Sequence, residues 1–360
     1  MSIIPNDLQP LPVFLCIDDT MIEKYGKKFE NVQSLFDHAQ HNGNKFMNGH
    51  CFVSIMLSVP VWNGRKFIYK GFPLGYKMWV KDGPSKLQIA EYMIDKIMLC
   101  LPNEKQVIIL CDSWYGKTHI FELTQKYSNL SLICNVQSKT ALYDLPPVTS
   151  GKRRRGAPRK HGGRILLDDI KLSDELIGDY YVGTRKVMIN LLKWKPVYAF
   201  VTSSKGGTAA KRLFISTIAP TDIQMFCAWY KKAPLNQTGS SRMQYIPYIL
   251  YENRWNIEIC YYEQKVFWSL SDYKIRSAHG VETLLNLINL SYAGLTILPY
   301  TDPEFKEYKD HSAQEIRFHI GQAIQEEVFI ANLLEKCTIN NNSDVFQAWF
   351  QSKRFQDDAA

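Results

Sequence analysis

Three acids in this sequence could do chemistry together. Asp18 and Asp19 close the apolar run "VFLCIDDT", and Asp112 closes "QVIILCD". A further acid, Glu258, lies in "YENRWNIEICYYEQK", residues 251–265, together with Tyr251, Arg254 and Lys265. A helix turns about 100° per residue, so these four side chains fall on one stripe roughly 60° wide. One acid then stands between two cations, with a phenol on the same edge. Arg254 and Glu258 alone would make an ordinary i,i+4 surface pair. That pairing does not require Lys265 further on or Tyr251 before it. Trp255, Ile257, Ile259, Cys260 and Tyr262 between them are largely apolar, so the helix is expected to pack, and charges on a packed helix tend to face a cleft. Convergent carboxylates are hard oxygen ligands, suited to Mg²⁺ or Mn²⁺ rather than zinc or copper. Two such ions, roughly 3.5–4 Å apart, can clamp an in-line displacement at phosphorus. Taken singly, each aspartate has a plainer reading. Asp112-Ser113 could be a helix cap or turn, and Asp19-Thr20 could simply end a strand.

The elements that must position these groups are legible in the pattern. "VFLCIDDT" (13–20), "CFVSIMLSVPVW" (51–62) and "KFIYKGFPLGYKMW" (66–79) read as strands, the last two joined by the hairpin turn Asn63-Gly64-Arg65. In "SKLQIAEYMIDKIMLCL" (85–101), apolar residues recur at helical spacing behind a plausible N-cap, Ser85. "QVIILCD" (106–112) is a continuous run of the buried parallel kind. A helix, "HIFELTQKY", and a strand, "LSLICNV", follow. The order predicts an α/β fold: an antiparallel meander of three strands, then parallel strands added through helical crossovers. Acids end the first and fourth strands, where an open α/β sheet places its ligand site.

Residues 139–245 interrupt this scheme. The segment opens with the basic run "GKRRRGAPRKHGGR" (151–164), then reads as strands in "DYYVGTRKVMINLLKW", "VYAFVTSS" and "RLFISTI". Such a basic block is normally a solvated loop; beside a catalytic cleft it is expected to touch a phosphate backbone, through Arg153, Arg154 and Arg155. The chain therefore divides into a first core part (1–138), a β-rich insertion (139–245), a helical second core part (246–310) and a C-terminal helical tail (311–360), whose amphipathic stretch 311–336 could serve as a packing or partner surface.

Bulk properties narrow the class. The 360 residues are 46% hydrophobic and 13% aromatic, which is a globular composition. The net charge of +8 favours a polyanionic partner. None of the eight cysteines forms a C-x-x-C pair and several sit in apolar runs, so structural zinc is not expected and a reducing, cytoplasmic setting is. No sequence segment approaches the ~18 uninterrupted apolar residues of a membrane span.

The spacing Tyr-x₂-Arg-x₃-Glu-x₆-Lys at 251–265 resembles the signature of a large group of bacterial insertion-sequence transposases of the DDE class. "IDDT" (17–20) and "LCDSWYGK" (110–117) are similar to that group's two aspartate blocks, in the expected order, and the β-rich insert is similar too. The resemblance spans roughly residues 13–300. It implies an RNase H-like mixed sheet flanked by helices, and metal-dependent strand cleavage and transfer at the ends of double-stranded DNA elements. By the same resemblance, Asp19, Asp112 and Glu258 would hold Mg²⁺ or Mn²⁺, two ions in all. Asp19 is preferred to Asp18 because the group's acid commonly precedes a Thr; Asp18 stays open, since a one-residue shift on a strand reverses the face. Tyr251, Arg254 and Lys265 would contact DNA phosphates, and a homodimer would pair two ends. In relatives that cut through a hairpin, an aromatic of the insert stacks on a flipped base; Trp194 and Trp229 stand in that region. Only 18 residues precede Asp19, where full-length members carry a helical DNA-binding region. The chain is thus either a shortened form or one that recognises ends by other surfaces.

Two other readings stand beside this one. The chain could be a non-catalytic DNA-binding remnant of such an enzyme. It could also be a glycosidase with paired carboxylates, but an oxocarbenium-like centre gains nothing from the nearby cations.

Overall fold

In the computed structural model the described residues are 2–26, 28–37, 45–147, 157–204, 209–220 and 244–339, with side chains to 334. Strand β1 (Val13–Glu23) runs through the middle of one large mixed sheet. Its neighbours on one side are antiparallel: β3 (Phe46–Trp62), then β4 (Phe67–Trp79). The short β2 (Gln33–Phe36) also pairs with β3. On the other side β5 (Val107–Cys111) lies parallel to β1, and β6 (Leu130–Val136) lies parallel to β5. This is the expected meander followed by parallel additions.

The local chemistry explains the elements. All five residues of β5 are buried, as a strand covered on both faces requires. The β3–β4 turn holds Gly64 at φ +95°, and the Asn63 side-chain oxygen accepts from the amides of Arg65 and Lys66 at 3.1 and 2.9 Å. Helix α1 (Lys86–Met98) starts with a capping box: the Ser85 side chain accepts from the Gln88 amide, and the Gln88 side chain accepts from the Ser85 amide. Helix α2 (Thr118–Lys126) makes the crossover from β5 to β6.

The insertion does not stand apart from this sheet. Strand β11 (Arg212–Ser216) pairs antiparallel with β6, and β10 (Lys195–Ser203) and β9 (Tyr181–Ile189) follow. Two short strands, β7 (Leu142–Tyr143) and β8 (Arg164–Ile165), end the order. The β-rich character read from the sequence is present, as a continuation of one sheet that has eleven strands among the described residues. Arg153, Arg154, Arg155 and Trp229 lie outside the described residues.

The chain then returns to the core as helices. Helix α3 (Ile246–Leu250) leads through a 3₁₀ turn, Tyr251–Arg254, into α4 (Trp255–Phe267). Helix α5 (Ala278–Thr301) lies against β4: Asn286 bonds both backbone groups of Tyr76, and Glu282 takes Lys77 and the Met78 amide. By length and composition α5 is the one helix among the described residues that could cross a membrane. A buried polar chain, Tyr76 hydroxyl to Gln264 to Asn289, ties β4, α4 and α5 together. Helix α6 (Ala313–Ile339) follows a second 3₁₀ segment, Pro303–Asp310. The cysteines whose side chains are described (16, 51, 100, 111, 134 and 260) are all free thiols.

Candidate active site

The pleat of β1 decides which acids meet. The parallel register pairs Ile17 with Cys111, so the next residues on each strand, Asp18 and Asp112, leave the sheet side by side on one face. Asp19 leaves on the other face. The contacts agree with that geometry. On the Asp18 face, Cys16 donates to the Asn253 carbonyl at 3.4 Å, and Arg254 Nη1 lies 3.4 Å from Asp18 Oδ2. Arg254 Nη2 reaches Glu258 Oε1 at 2.5 Å. On the opposite face, Asp19 Oδ2 binds Lys86 Nζ at 2.6 Å and Cys51 Sγ at 3.3 Å, while Asp19 Oδ1 accepts from the Tyr115 hydroxyl at 3.1 Å.

The structure places Asp18, the alternative left open, rather than Asp19 on the face of Asp112 and Arg254. The reason is the two-residue period of a strand: one position along the chain places the carboxylate on the far side of the sheet. The third acid also differs from expectation. Glu258 is joined to the cluster through Arg254, whose guanidinium stands between it and Asp18. Among the described residues no three His, Cys, Asp or Glu side chains gather closely enough to hold a metal ion.

Burial and the facing Asp112 push the Asp18 carboxyl up to about 7, against which Arg254 pulls only in part. Asp112 is fixed from behind. Its Oδ1 accepts from the amides of Trp114 and Tyr115 at 3.0 and 3.2 Å, a side-chain-closed turn that aims the carboxylate off the end of β5. Gly116 lets this loop lie against β6, since a Cβ there would stand 2.8 Å from the Asn135 carbonyl oxygen.

Three residues of the helical stripe, Tyr251, Arg254 and Lys265, reach β1 or β5, and Glu258 joins them through Arg254; the first turn is 3₁₀ rather than α. The Tyr251 hydroxyl donates to the Cys111 carbonyl at 3.1 Å, and burial raises its pKa so that it remains a neutral donor. Lys265 Nζ donates to the Met21 carbonyl at 3.2 Å, and burial lowers its pKa. Both clamp the helix onto strand backbones. Arg254 is the member that faces the acids, and its Nε–H, buried, has no partner. Trp194 stacks on His161 at 4.3 Å in the insertion, beside Arg159 and Lys160 at a cavity of about 430 Å³.

Trp114 and Tyr115, whose amides hold Asp112, and Lys86, which pairs with Asp19, were missed in the sequence reading. Trp114 and Tyr115 sit in the quoted "LCDSWYGK", where their closeness to Asp112 was the available signal. Lys86 had none: its approach to Asp19 depends on how α1 docks.

The donor set bears on the metal that the resemblance implies. Asp18 and Asp112 are two hard oxygen ligands facing each other across adjacent strand ends, and their mutual repulsion is what a divalent cation would relieve. They fit one such ion. A second would need Glu258 to leave Arg254.

No family model matches the chain, and no curated protein matches it. Among solved structures, the NurA nuclease from Sulfolobus solfataricus aligns over 88% of this chain and 85% of its own, with 9% identity and a TM-score of 0.25. A likeness at that level carries no argument about this chain.

Proposed function

We propose that the chain is a metal-dependent DNA-cleaving enzyme with an RNase H-like core, and specifically a strand-transferring transposase of the DDE class. The observation that carries the reading is the pair Asp18–Asp112, side by side at the ends of adjacent parallel strands, with Arg254 and Glu258 brought over it by one helix. The antiparallel meander followed by parallel strands supports the RNase H-like assignment. The transposase assignment rests on the resemblance at 251–265 and the two aspartate blocks, and with it go insertion-sequence ends as substrate, a homodimer and a cytoplasmic setting.

In this reading Asp18 and Asp112 would hold Mg²⁺ or Mn²⁺, which supplies Lewis-acid polarisation of the scissile phosphate. Asp18 would have to be ionised to hold it, and burial with the facing Asp112 raises that carboxyl to about 7 in the free protein. Arg254 supplies the positive charge beside the pair, held between Asp18 and Glu258. Glu258 neutralises Arg254 and fixes its plane. Tyr251 and Lys265 hold the helix at the correct height on β5 and β1.

The test is cleavage of linear and supercoiled duplex DNA with Mg²⁺ or Mn²⁺ by the full chain, with Asp18→Asn, Asp112→Asn and Asp19→Asn beside it. Cutting that requires Asp18 and Asp112 but survives Asp19→Asn supports the reading. Cutting by Asp18→Asn at the wild-type rate overturns it. The second reading, a non-catalytic DNA binder, is favoured by the Arg254 guanidinium standing where a further cation would sit. It predicts DNA binding with no metal-dependent cutting, and no change on Glu258→Gln.

A further inference from the structure

We propose that Asn135 is a third ligating group of this site, its side-chain oxygen completing, beside Asp112, the set that Asp18 and Asp112 begin for one Mg²⁺ or Mn²⁺ ion. The proposal rests on the reading of Asp18–Asp112 as a metal-holding pair.

The strand register places it. Cys111 and Cys134 are partners across the parallel strands β5 and β6, as Ile17 and Cys111 are across β1 and β5. One residue further on each strand come Asp18, Asp112 and Asn135, three polar side chains in a row on one face. Adjacent strands lie about 4.8 Å apart, so Asp112 stands in the middle with Asp18 on one side and Asn135 on the other. The sequence repeats with the row: "LCD" closes β5, and "ICN" stands at the same level of β6. A further strand fixes the face independently. Asn135 pairs with Phe214 of β11, and antiparallel partners point to the same side. The Phe214 ring meets that of Tyr251 at 5.0 Å, in the turn that brings Arg254 to Asp18.

An Asn near the end of a strand is ordinarily a turn former. Here the pairing with β11 continues past it, Val136 to Leu213, so Asn135 lies inside a paired strand, where Asn is disfavoured. Cys134 and Val136 on either side are buried, and Asn135 itself is half-buried. Among the described residues its side-chain amide makes no hydrogen bond. Its backbone is fixed to the loop that carries Asp112, because Gly116 of that loop lies against the Asn135 carbonyl. Charge explains why the residue is an amide. Two carboxylates already face each other in the row, and a third would add to their repulsion in the metal-free chain. An Asn side-chain oxygen is also a hard donor suited to Mg²⁺ or Mn²⁺, and it brings no charge. With Glu258 engaged by Arg254, the next oxygen donor in line with the pair is Asn135.

The experiment titrates the full chain with Mn²⁺ in the absence of DNA and reads the free ion by its electron paramagnetic resonance signal. Asn135→Val removes the oxygen and puts a good strand former in its place, so the fold is kept. It should weaken Mn²⁺ binding about tenfold. Asn135→Asp returns an oxygen at the same position and should bind at least as tightly as wild type. Ser131→Ala, earlier on the same face of β6, should bind as wild type does. If Asn135→Val binds Mn²⁺ like wild type while Asp18→Asn loses it, the acid pair stands and Asn135 is removed from the site. If Asn135→Val is weakened and Asn135→Asp recovers nothing, the oxygen is not a ligand and the proposal falls. A wild-type chain that takes up no Mn²⁺ overturns the metal-holding pair itself, and the role of Asn135 with it.

Discussion

Asp18 and Asp19 are consecutive residues with the same side chain, and the sheet puts them in opposite electrostatic situations. Asp19 is closed in by Lys86, Tyr115 and Cys51, every contact a donor to its oxygens. Burial works against the Lys86 charge, yet Asp19 and Cys51 together outweigh it and raise the Lys86 pKa. Asp18 is buried too, but it faces another acid and shares its one cation with Glu258. One face has been satisfied; the other has been left short of positive charge. A fold gains nothing from the second arrangement unless something else supplies the charge. In the proposed reading, that difference makes Asp18 the working acid and Asp19 a structural one.

The largest expected effect separates the two in activity. In the proposed reading, Asp18→Asn or Asp112→Asn should lower metal-dependent cleavage by about a thousandfold, because each would remove a ligand of the ion the pair would hold. Asp19→Asn should cut at a rate near wild type at temperatures where it stays folded. Rates on one substrate with Mn²⁺ decide it; equal losses at 18 and 19 would erase the contrast between the faces.

The next effect is in stability against pH, and the sign is fixed by the direction of the shift. Asp18 keeps its proton in the folded chain up to about pH 7, whereas in the unfolded chain it loses it near the ordinary aspartate value of 3.8. Between those values the folded state binds more protons, so this carboxyl makes stability fall as pH rises from about 4 to about 7, by up to about 4 kcal/mol. Asp18→Asn removes that slope. Urea unfolding of both proteins across this range should therefore show the variant gaining on wild type as pH rises, and Mn²⁺ should return part of the wild-type loss. A constant difference between the two would show that Asp18 does not carry the proton.

How much of this was readable beforehand follows the range of the interactions. The β5 run, the Asn63-Gly64 turn and the Ser85 cap are local chemistry, and each stands where the sequence puts it. The stripe at 251–265 was also visible, because helical spacing is local. Its use was less so: Tyr251 and Lys265 end on main-chain carbonyls of β5 and β1, partners no spacing can reveal. The choice between Asp18 and Asp19 was beyond local pattern, since both end an apolar run and only pairing with β5 fixes the face. The same holds for the insertion. Its strands were legible, but their continuation of the core sheet depends on β11 meeting β6, nearly eighty residues away in sequence. Lys86 looked like an ordinary helix residue until α1 was docked.

The third effect tests the satisfied face. Asp19→Asn leaves the Lys86 ammonium, mostly buried, without its anion, and should cost about 3 kcal/mol in urea unfolding. Lys86→Met added to it should recover part of that loss, because the stranded charge goes. Failure of the double variant to recover anything would mean that Asp19 acts through Tyr115 and Cys51 rather than Lys86.

The smallest effect asks whether the satisfied face can be loosened without touching the other. Ser85 caps α1 one residue before Lys86, so Ser85→Ala frees the first turn of the helix that delivers the ammonium to Asp19. The cap is exposed, and its loss should cost about 1 kcal/mol. If the two faces of β1 are independent, that cost appears in unfolding and leaves the cleavage rate and its pH dependence where they were. If cleavage falls with it, Lys86 and Asp19 must steer Asp112 through the path the structure provides: Asp19 to the Tyr115 hydroxyl, and the Tyr115 amide to the Asp112 carboxylate. That outcome would turn the structural acid into a positioning residue for its neighbour's site.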